Sequence, residues 1–476
     1  MFTRVLHAMF RGAEPATGAH HCQRGDQIRR RASVLDMYEN LPDLSGFDCG
    51  DRQQHYLMRN PVGPAAAPGL TSQPEVAYIE RMPLRKLDLK DGRGASSEVA
   101  RDINRRIVLN LVRKRQPLSR ADLARLSGLQ RSTVSLIVEQ LVKERWVIEG
   151  PRERLPRGRR PTILRLNSQR VVVGIDIRPV QTTLLLADVN GQFLSREAMQ
   201  TPRNPKTAID DLTVRVKRLI GSRPETIFEG IGISLPGRFD QESRKLVFAP
   251  NLNWPEVDLK TPFERATGLD VELENAANAC VLSEVWFGER DGIQNLVVVA
   301  VAEGVGTGIF LNGQLARGLH GAAGEFGHVS LDPSGPACTC GGRGCWEVFA
   351  SNRAALRYYN EATGNSANPS FQDLLDLAER GDGPAGKALG TMAHYLGRGM
   401  RMVVAGVAPE AIVVVGELTR CWQRFGPVVE AEVAAQILAG PPPEVAPARE
   451  GGLARLRGTV ALVLQKHFGS NRALSA

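Results

Sequence analysis

Gly324-Glu325-Phe326-Gly327-His328, Cys338-Thr339-Cys340 and Gly344-Cys345-Trp346-Glu347 place one histidine and three cysteines within eighteen residues. Three thiolates and one imidazole make a complete ligand set for tetrahedral zinc, a borderline-soft ion suited to sulfur and nitrogen. The candidate ligands are His328, Cys338, Cys340 and Cys345. Glu325 and Glu347 stand beside them, and metal binding does not account for both. The cluster fixes a local structure and marks a place for a polar ligand. The blander alternative is a zinc knuckle that serves folding alone, with the two glutamates on its surface.

The rest of the chain must position this cluster. Its 476 residues can hold two or three domains. No run of eighteen apolar residues and no apolar signal region occurs, which argues against a membrane span or secretion. Four of the seven cysteines, Cys22, Cys49, Cys280 and Cys421, are scattered, as expected of a reducing cytoplasm and not of a disulfide framework. Residues 1–95 show no sustained period and are rich in Gly, Pro, Arg and His. They are expected to be disordered or, before Met82, an over-extended gene start.

Charge is unevenly placed. Residues 101–166 carry 17 Lys/Arg and 6 Asp/Glu, a balance of +11 against +9 for the whole chain, so the remainder carries −2. Such a focus is the footprint of nucleic-acid binding, although a solvated basic surface would look the same by charge alone. The pattern inside it is helical. Ile103, Ile107, Val108 and Leu111 share one face, Pro117 ends that helix, and Ser119 caps a second carrying Leu123, Ala124 and Leu126. After Gly128, Val134, Ile137, Val138, Leu141 and Val142 mark a third helix. The other face of that helix begins with Arg131, Ser132, Thr133 and Ser135, short or basic side chains able to approach base edges and phosphates. Strands at 146–149 and 162–166 flank a basic tip with Arg157, Arg159 and Arg160, a wing suited to a minor groove or to phosphates. Residues 96–167 therefore predict a winged helix-turn-helix; three helices without the wing could instead be a protein-interaction module.

From residue 168 onward strands alternate with helices. Two similar strand-rich starts, at Val171 and Leu296, predict two α/β lobes with a cleft between them, at 168–290 and 291–440, and a C-terminal helix at 450–470.

The motifs occur in one order: Gly174-Ile-Asp176, Gly232 to Arg238, Pro250-Asn251-Leu252, Glu274-Asn275, Gly304 to Gly308, Gly324 to His328, and the cysteines. That series resembles the ROK family of sugar kinases and sugar-responsive repressors. With the winged helix ahead of it, the chain is similar to the repressor branch, which answers to xylose, glucose or N-acetylglucosamine. The resemblance implies a two-lobed, actin-like or ribonuclease H-like ATPase fold. It also implies sugar contacts by Gly237, Arg238, Asn275, Glu325, His328 and Glu347, with His328 both ligating zinc and touching sugar. The zinc it implies is structural.

The departures matter as much. The family's kinases follow the Asn with an Asp that takes a proton from the attacking hydroxyl; here Ala276 follows Asn275, and Glu274 lies on the neighbouring position. Losing a positioned base costs about 10²–10⁴-fold in rate. Their first phosphate loop carries glycines, whereas this chain has Asp176-Ile177-Arg178-Pro179-Val180, and proline offers no N–H. Both departures argue against kinase activity, so no catalytic residue is assigned. The expected protein is a cytoplasmic, zinc-containing transcriptional regulator, most readily a repressor, that binds double-stranded operator DNA and a sugar as a homodimer or higher homo-oligomer. The alternatives are a sugar kinase fused to a DNA-binding domain, and a regulator without any small-molecule ligand.

Overall fold

A computed structural model of the chain describes residues 97–152, 161–240, 245–249, 251–290, 292–364, 369–435, 437 and 440–469. They all belong to one unit, Leu89–Ala476. The stretch 1–95 and the arginines Arg157, Arg159 and Arg160 lie outside the described residues.

Three helices come first: α1 (Ser97–Arg115), α2 (Arg120–Ser127) and α3 (Arg131–Lys143). An antiparallel pair follows, β1 (Val147–Arg152) and β2 (Thr162–Leu166). Local chemistry sets the boundaries. The Ser119 hydroxyl accepts from the Asp122 N–H and the Asp122 carboxylate accepts from the Ser119 N–H, a reciprocal cap that starts α2. Gly128, at φ 70°, ends α2 in a conformation that side chains resist. The buried face of α1 differs from the expected one: Val108, Leu109 and Val112 are buried, whereas Ile107 is 40% exposed. The cause is a second neighbour, since α1 packs against the C-terminal helix as well as against α2 and α3.

Two five-stranded sheets share one plan. In the first, β3 (Arg170–Asp176), β4 (Gln181–Asp188) and β5 (Phe193–Gln200) form an antiparallel meander, and α4 (Pro205–Gly221) leads to β6 (Ile227–Leu235) beside β3. The short pair β7 (Arg238–Phe239) and β8 (Leu246–Phe248) and helix α5 (Thr261–Thr267) precede β9 (Val271–Asn275), giving the order β5-β4-β3-β6-β9. Helix α6 (Ala276–Phe287) connects to the second meander, β10 (Leu296–Val301), β11 (Val305–Leu311) and β12 (Gln314–Ala316). Helices α7 (Glu347–Ala350), α8 (Asn352–Thr363), α9 (Phe371–Glu379) and α10 (Gly383–Val407) precede β13 (Ala411–Val415). Then α11 (Trp422–Ala434) leads to β14 (Glu444–Pro447), completing the order β12-β11-β10-β13-β14. In both sheets the last two strands run parallel to the first. The repeated topology gives the two α/β lobes expected from the two strand-rich starts, in the actin-like arrangement that the family resemblance implies. Central strands are continuous apolar runs, as parallel strands covered on both faces must be: Val171, Val172, Val173, Val297, Val298 and Val299 are all buried. β5, at an edge, exposes every second residue.

The last helix, α12 (Ala454–Phe468), lies on β3 and β6 of the first sheet and along α6. The approach is close enough to exclude side chains. A Cβ on Gly174 would stand 2.2 Å from Thr459 Oγ1, one on Gly232 2.1 Å from the Thr459 carbonyl, and one on Gly458 2.0 Å from the Ala279 carbonyl. On its other side α6 meets Gly308 of β11, where a Cβ would stand 2.6 Å from the Ala277 carbonyl. The pair α6 and α12 is therefore the seam between the sheets. Among the described residues no helix is long and apolar enough to cross a membrane.

Overpacking this seam should be costly. Gly458→Ala is expected to lower unfolding free energy by about 2–3 kcal/mol, read as a shifted denaturant midpoint; an unchanged midpoint would mean that α6 and α12 can separate freely.

Candidate ligand cleft and metal cluster

The cleft opens where strands of both sheets end. Arg178 and Pro179 follow β3, Gly237 and Arg238 follow β6, and Asn275 ends β9; Glu303 to Thr307 and Val415 to Glu417 face them from the second lobe. The carboxyl ends of strands are where open α/β sheets bind ligands. Glu325, His328 and Glu347 line the same space. All six residues expected to touch sugar are thus brought together.

Their settings differ. Arg238 and Glu325 are exposed and His328 is half-buried, while Glu347 is buried. The Asn275 amide is largely engaged: its Oδ1 caps α6 by accepting from the Ala277 N–H at 2.8 Å, and its Nδ2 donates to the Gly237 carbonyl at 2.8 Å. Glu347 Oε2 accepts from the Val305 N–H at 3.2 Å and lies where a Cβ on Gly304 would intrude, at 2.1 Å. The glycine-rich turn Gly304 to Gly308 therefore has two packing duties, seating Glu347 and admitting α6. Gly324 and Gly327 allow the cluster loop to lie on β11, since their Cβ atoms would stand 2.2 Å from the Thr307 carbonyl and 1.9 Å from the Val305 carbonyl.

The ligand atoms of His328, Cys338, Cys340 and Cys345 all lie within 4.8 Å of one another. Cys340 and Cys345 sulfurs are 3.7 Å apart, and His328 Nδ1 is 3.6 Å from Cys338 Sγ. A tetrahedron with Zn–S bonds of about 2.3 Å has edges of about 3.8 Å, so the donor set fits a metal such as zinc. Burial and the nearby Cys340 and Cys338 sulfurs push the Cys345 thiol up to about 12, and burial raises Cys338 too. A bound cation offsets that penalty, because a coordinated thiol is deprotonated outright. With Nδ1 toward the sulfurs, His328 Nε2 stands 3.8 Å from Glu325 Oε2 on the cleft side. Trp346, fully buried, ties the cluster to α10 by donating from Nε1 to the Tyr395 carbonyl at 2.9 Å and lying flush on Gly399.

The other end of the cleft is occupied by charge. Asp176, buried at the end of β3, pairs with Arg178 at 2.8 Å and Arg455 of α12 at 2.9 Å, and accepts from the Ser234 hydroxyl at 3.2 Å. Burial works against the charge of Arg178, yet Asp176, with Glu303 and Glu417 further off, holds its pKa above the ordinary value. Glu274 is turned elsewhere. Its Oε2 pairs with Arg317 at 2.8 Å, and its Oε1 accepts from Asn275 N–H and Asn278 Nδ2, each at 3.0 Å. Ala276 itself lines the cleft. The Asp176–Arg455 and Glu274–Arg317 pairs join residues far apart in the chain and carried no signal in the sequence.

The family model described as ROK family matches residues 172–466. The chain belongs to the ROK family. It is 32% identical over 380 residues to the xylose repressor of Bacillus subtilis, an alignment covering 79% of this chain and 98% of that one. It is also 31% identical over 266 residues to the glucokinase of Streptomyces coelicolor, covering 52% and 82% respectively. Among solved structures it is similar to a ROK family transcriptional regulator, a homolog of the E. coli MLC protein (TM-score 0.66, 24% identity, 78% and 97% covered). A ROK family glucokinase from Streptomyces griseus in complex with glucose and AMPPNP is a second neighbour (TM-score 0.57, 28% identity, 62% and 99% covered).

Ahead of the ROK region, α3 exposes Arg131 and Ser132, while Thr133 and Ser135 are half-buried. Leu136, which sequence reasoning did not single out, is 68% exposed on the same helix. Its signal was present: an apolar residue out of phase with the core positions Val134, Ile137, Val138 and Leu141.

The cluster geometry carries its own test. Metal analysis of protein purified under reducing conditions should find about one zinc per chain, and Cys345→Ser should lose both the metal and thermal stability together. Metal-free wild-type protein with full stability would contradict the assignment.

Proposed function

We propose that the protein is a sugar-responsive transcriptional regulator, a repressor by its resemblance to the xylose repressor, whose kinase-like cleft binds a sugar without phosphorylating it. The observation that carries this reading is Ala276. A methyl group lines the cleft where the family's kinases place their base, while Glu325, His328 and Glu347 still converge there. Pro179 supports it, since phosphate loops need free backbone N–H groups and proline has none. Glu303 and Glu417 add negative charge at the end where a nucleotide's phosphates would enter.

In this reading Glu325 and Glu347 accept from sugar hydroxyls, Arg238 donates, and Gly237, Asn275 and His328 Nε2 complete the pocket. Zinc held by His328, Cys338, Cys340 and Cys345 keeps Glu325 and Glu347 in place and takes no part in chemistry. Residues 96–167 act as a winged helix-turn-helix and 168–476 as the sugar-binding domain. Arg131, Ser132, Thr133, Ser135 and Leu136 of α3 face the major groove, and the arginines Arg157, Arg159 and Arg160 of the β1–β2 tip meet phosphates or a minor groove. A homo-oligomer reads a palindromic site. Sugar releases the operator only if it binds the released state more tightly, because equal affinity shifts nothing.

The second reading is a sugar kinase, favoured by the identity to the Streptomyces coelicolor glucokinase. Calorimetry with neutral aldoses and acylated hexosamines, run beside a coupled assay of ADP release, separates the two. The regulator reading expects a sugar that binds, loses at least about tenfold in affinity on Glu347→Gln (one to two charge-assisted hydrogen bonds), and yields no ADP above background. Turnover of any binding sugar would establish the kinase instead.

A further inference from the structure

We propose that α6 is the element that couples the cleft to the DNA-facing unit, and that Arg113 of α1 is the joint through which it acts. The proposal rests on the regulatory reading above and specifies its route.

One end of α6 belongs to the ligand site. Ala276, Ala277 and Asn278 of its first turn line the cleft, and Asn275 ties that turn to the Gly237 carbonyl. The helix then runs through the interior with residues 277–283 buried, gripped by Gly308 of the second lobe and Gly458 of α12. A close-packed helix between two such contacts moves as a body, because packed interiors switch between arrangements more readily than they deform. Its twelve residues span about 18 Å.

The far end meets α1 directly. Arg113 Nη1 donates to the Trp286 carbonyl at 2.9 Å, and the guanidinium lies 4.3 Å from the centre of the indole. A cation at the last carbonyls of a helix is favoured by the helix dipole, and stacking on tryptophan adds to it. Beside it, Phe287 packs under Gly191 in the β4–β5 turn, where a Cβ would stand 2.7 Å from the ring. Gln116, just after α1, donates to Asn190 in that same turn at 2.7 Å. No loop intervenes between the cleft end of α6 and the residue that holds α1. Closure of the lobes on a ligand therefore displaces the platform on which the first helix rests.

A route through α12 alone is the competing possibility, since Asn110 also donates to the Phe468 carbonyl at 2.7 Å. Arg113→Met distinguishes them. It keeps an unbranched stem against Trp286 and the Asn110 Nδ2 bond to the Phe468 carbonyl. It removes the cation, its hydrogen bond to the Trp286 carbonyl, a 3.4 Å donation to Asn110 Oδ1 and a 6.0 Å approach to the Phe468 ring. Asn110→Ala, which drops the α12 bond and leaves Arg113 on Trp286, should therefore keep the wild-type coupling. For Arg113→Met, operator affinity without sugar and sugar affinity without operator should each stay within about twofold of wild type. The factor by which saturating sugar weakens operator binding, ordinarily about 5–150-fold for an allosteric pair, should fall below about twofold. An Arg113→Met protein that keeps the wild-type factor would overturn the role of Arg113. If wild-type operator binding ignores every sugar that binds the cleft, the regulatory reading falls and the coupling route with it. Hydrogen exchange of the wild-type protein gives a measurement independent of the variant's folding. On sugar binding, amides at 283–288 and 110–116 should change protection together with those of the cleft; change confined to the cleft would overturn the proposal.

Discussion

The fold depends on one close approach, the seating of α12 on the first sheet and on α6. Thr459 meets β3 and β6 only because Gly174 and Gly232 carry no side chains, and Gly458 admits the Ala279 carbonyl for the same reason. The consequence reaches both ends of the molecule. The return of α12 to the first sheet places Val460, Val463, Leu464 and Phe468 in one apolar cluster with Val108, Leu109, Trp146 and Leu164 of the N-terminal unit. The three-helix unit thus shares a core with the lobe beneath it. Polar contacts finish the junction: Arg170 stacks on Trp146 at 4.1 Å and pairs with Glu229, and Asn167 donates to the Arg145 carbonyl at 2.9 Å.

The same approach organises the cleft. Arg455 reaches Asp176 from α12, and the seating of α6 puts Ala276 at the wall. Charge divides the cleft into two halves. At one end Glu325 and Glu347 face a space that a hydroxyl-bearing ligand can fill; at the other, Asp176 is satisfied by two arginines. A buried carboxylate paired in this way is expensive to strip of its partners. The glycine-rich turn at Gly304 is required by Glu347 and by α6.

Local features were legible in the sequence. The candidate metal ligands lie within one short segment, Ser119 and Gly128 mark helix ends by their own chemistry, and the two strand-rich starts correspond to β3 and β10. What escaped was long-range. Arg317, the partner that holds Glu274, gave no signal in the sequence, and the buried face of α1 could not be placed without knowing that α12 returns. Glycines were the most ambiguous signal, because a phosphate loop and a close helix contact both demand the missing Cβ. Arg113 and Trp286 gave no hint at all, since each is an ordinary residue near a helix end.

Sugar and operator compete through one coupled equilibrium, and linkage makes the effect reciprocal. The most direct measurement is calorimetric titration of the bound sugar into the protein alone and into the protein saturated with its operator duplex. Sugar binding should be weaker in the complex, by the same factor by which sugar weakens the operator. Identical sugar affinity with and without operator would contradict it.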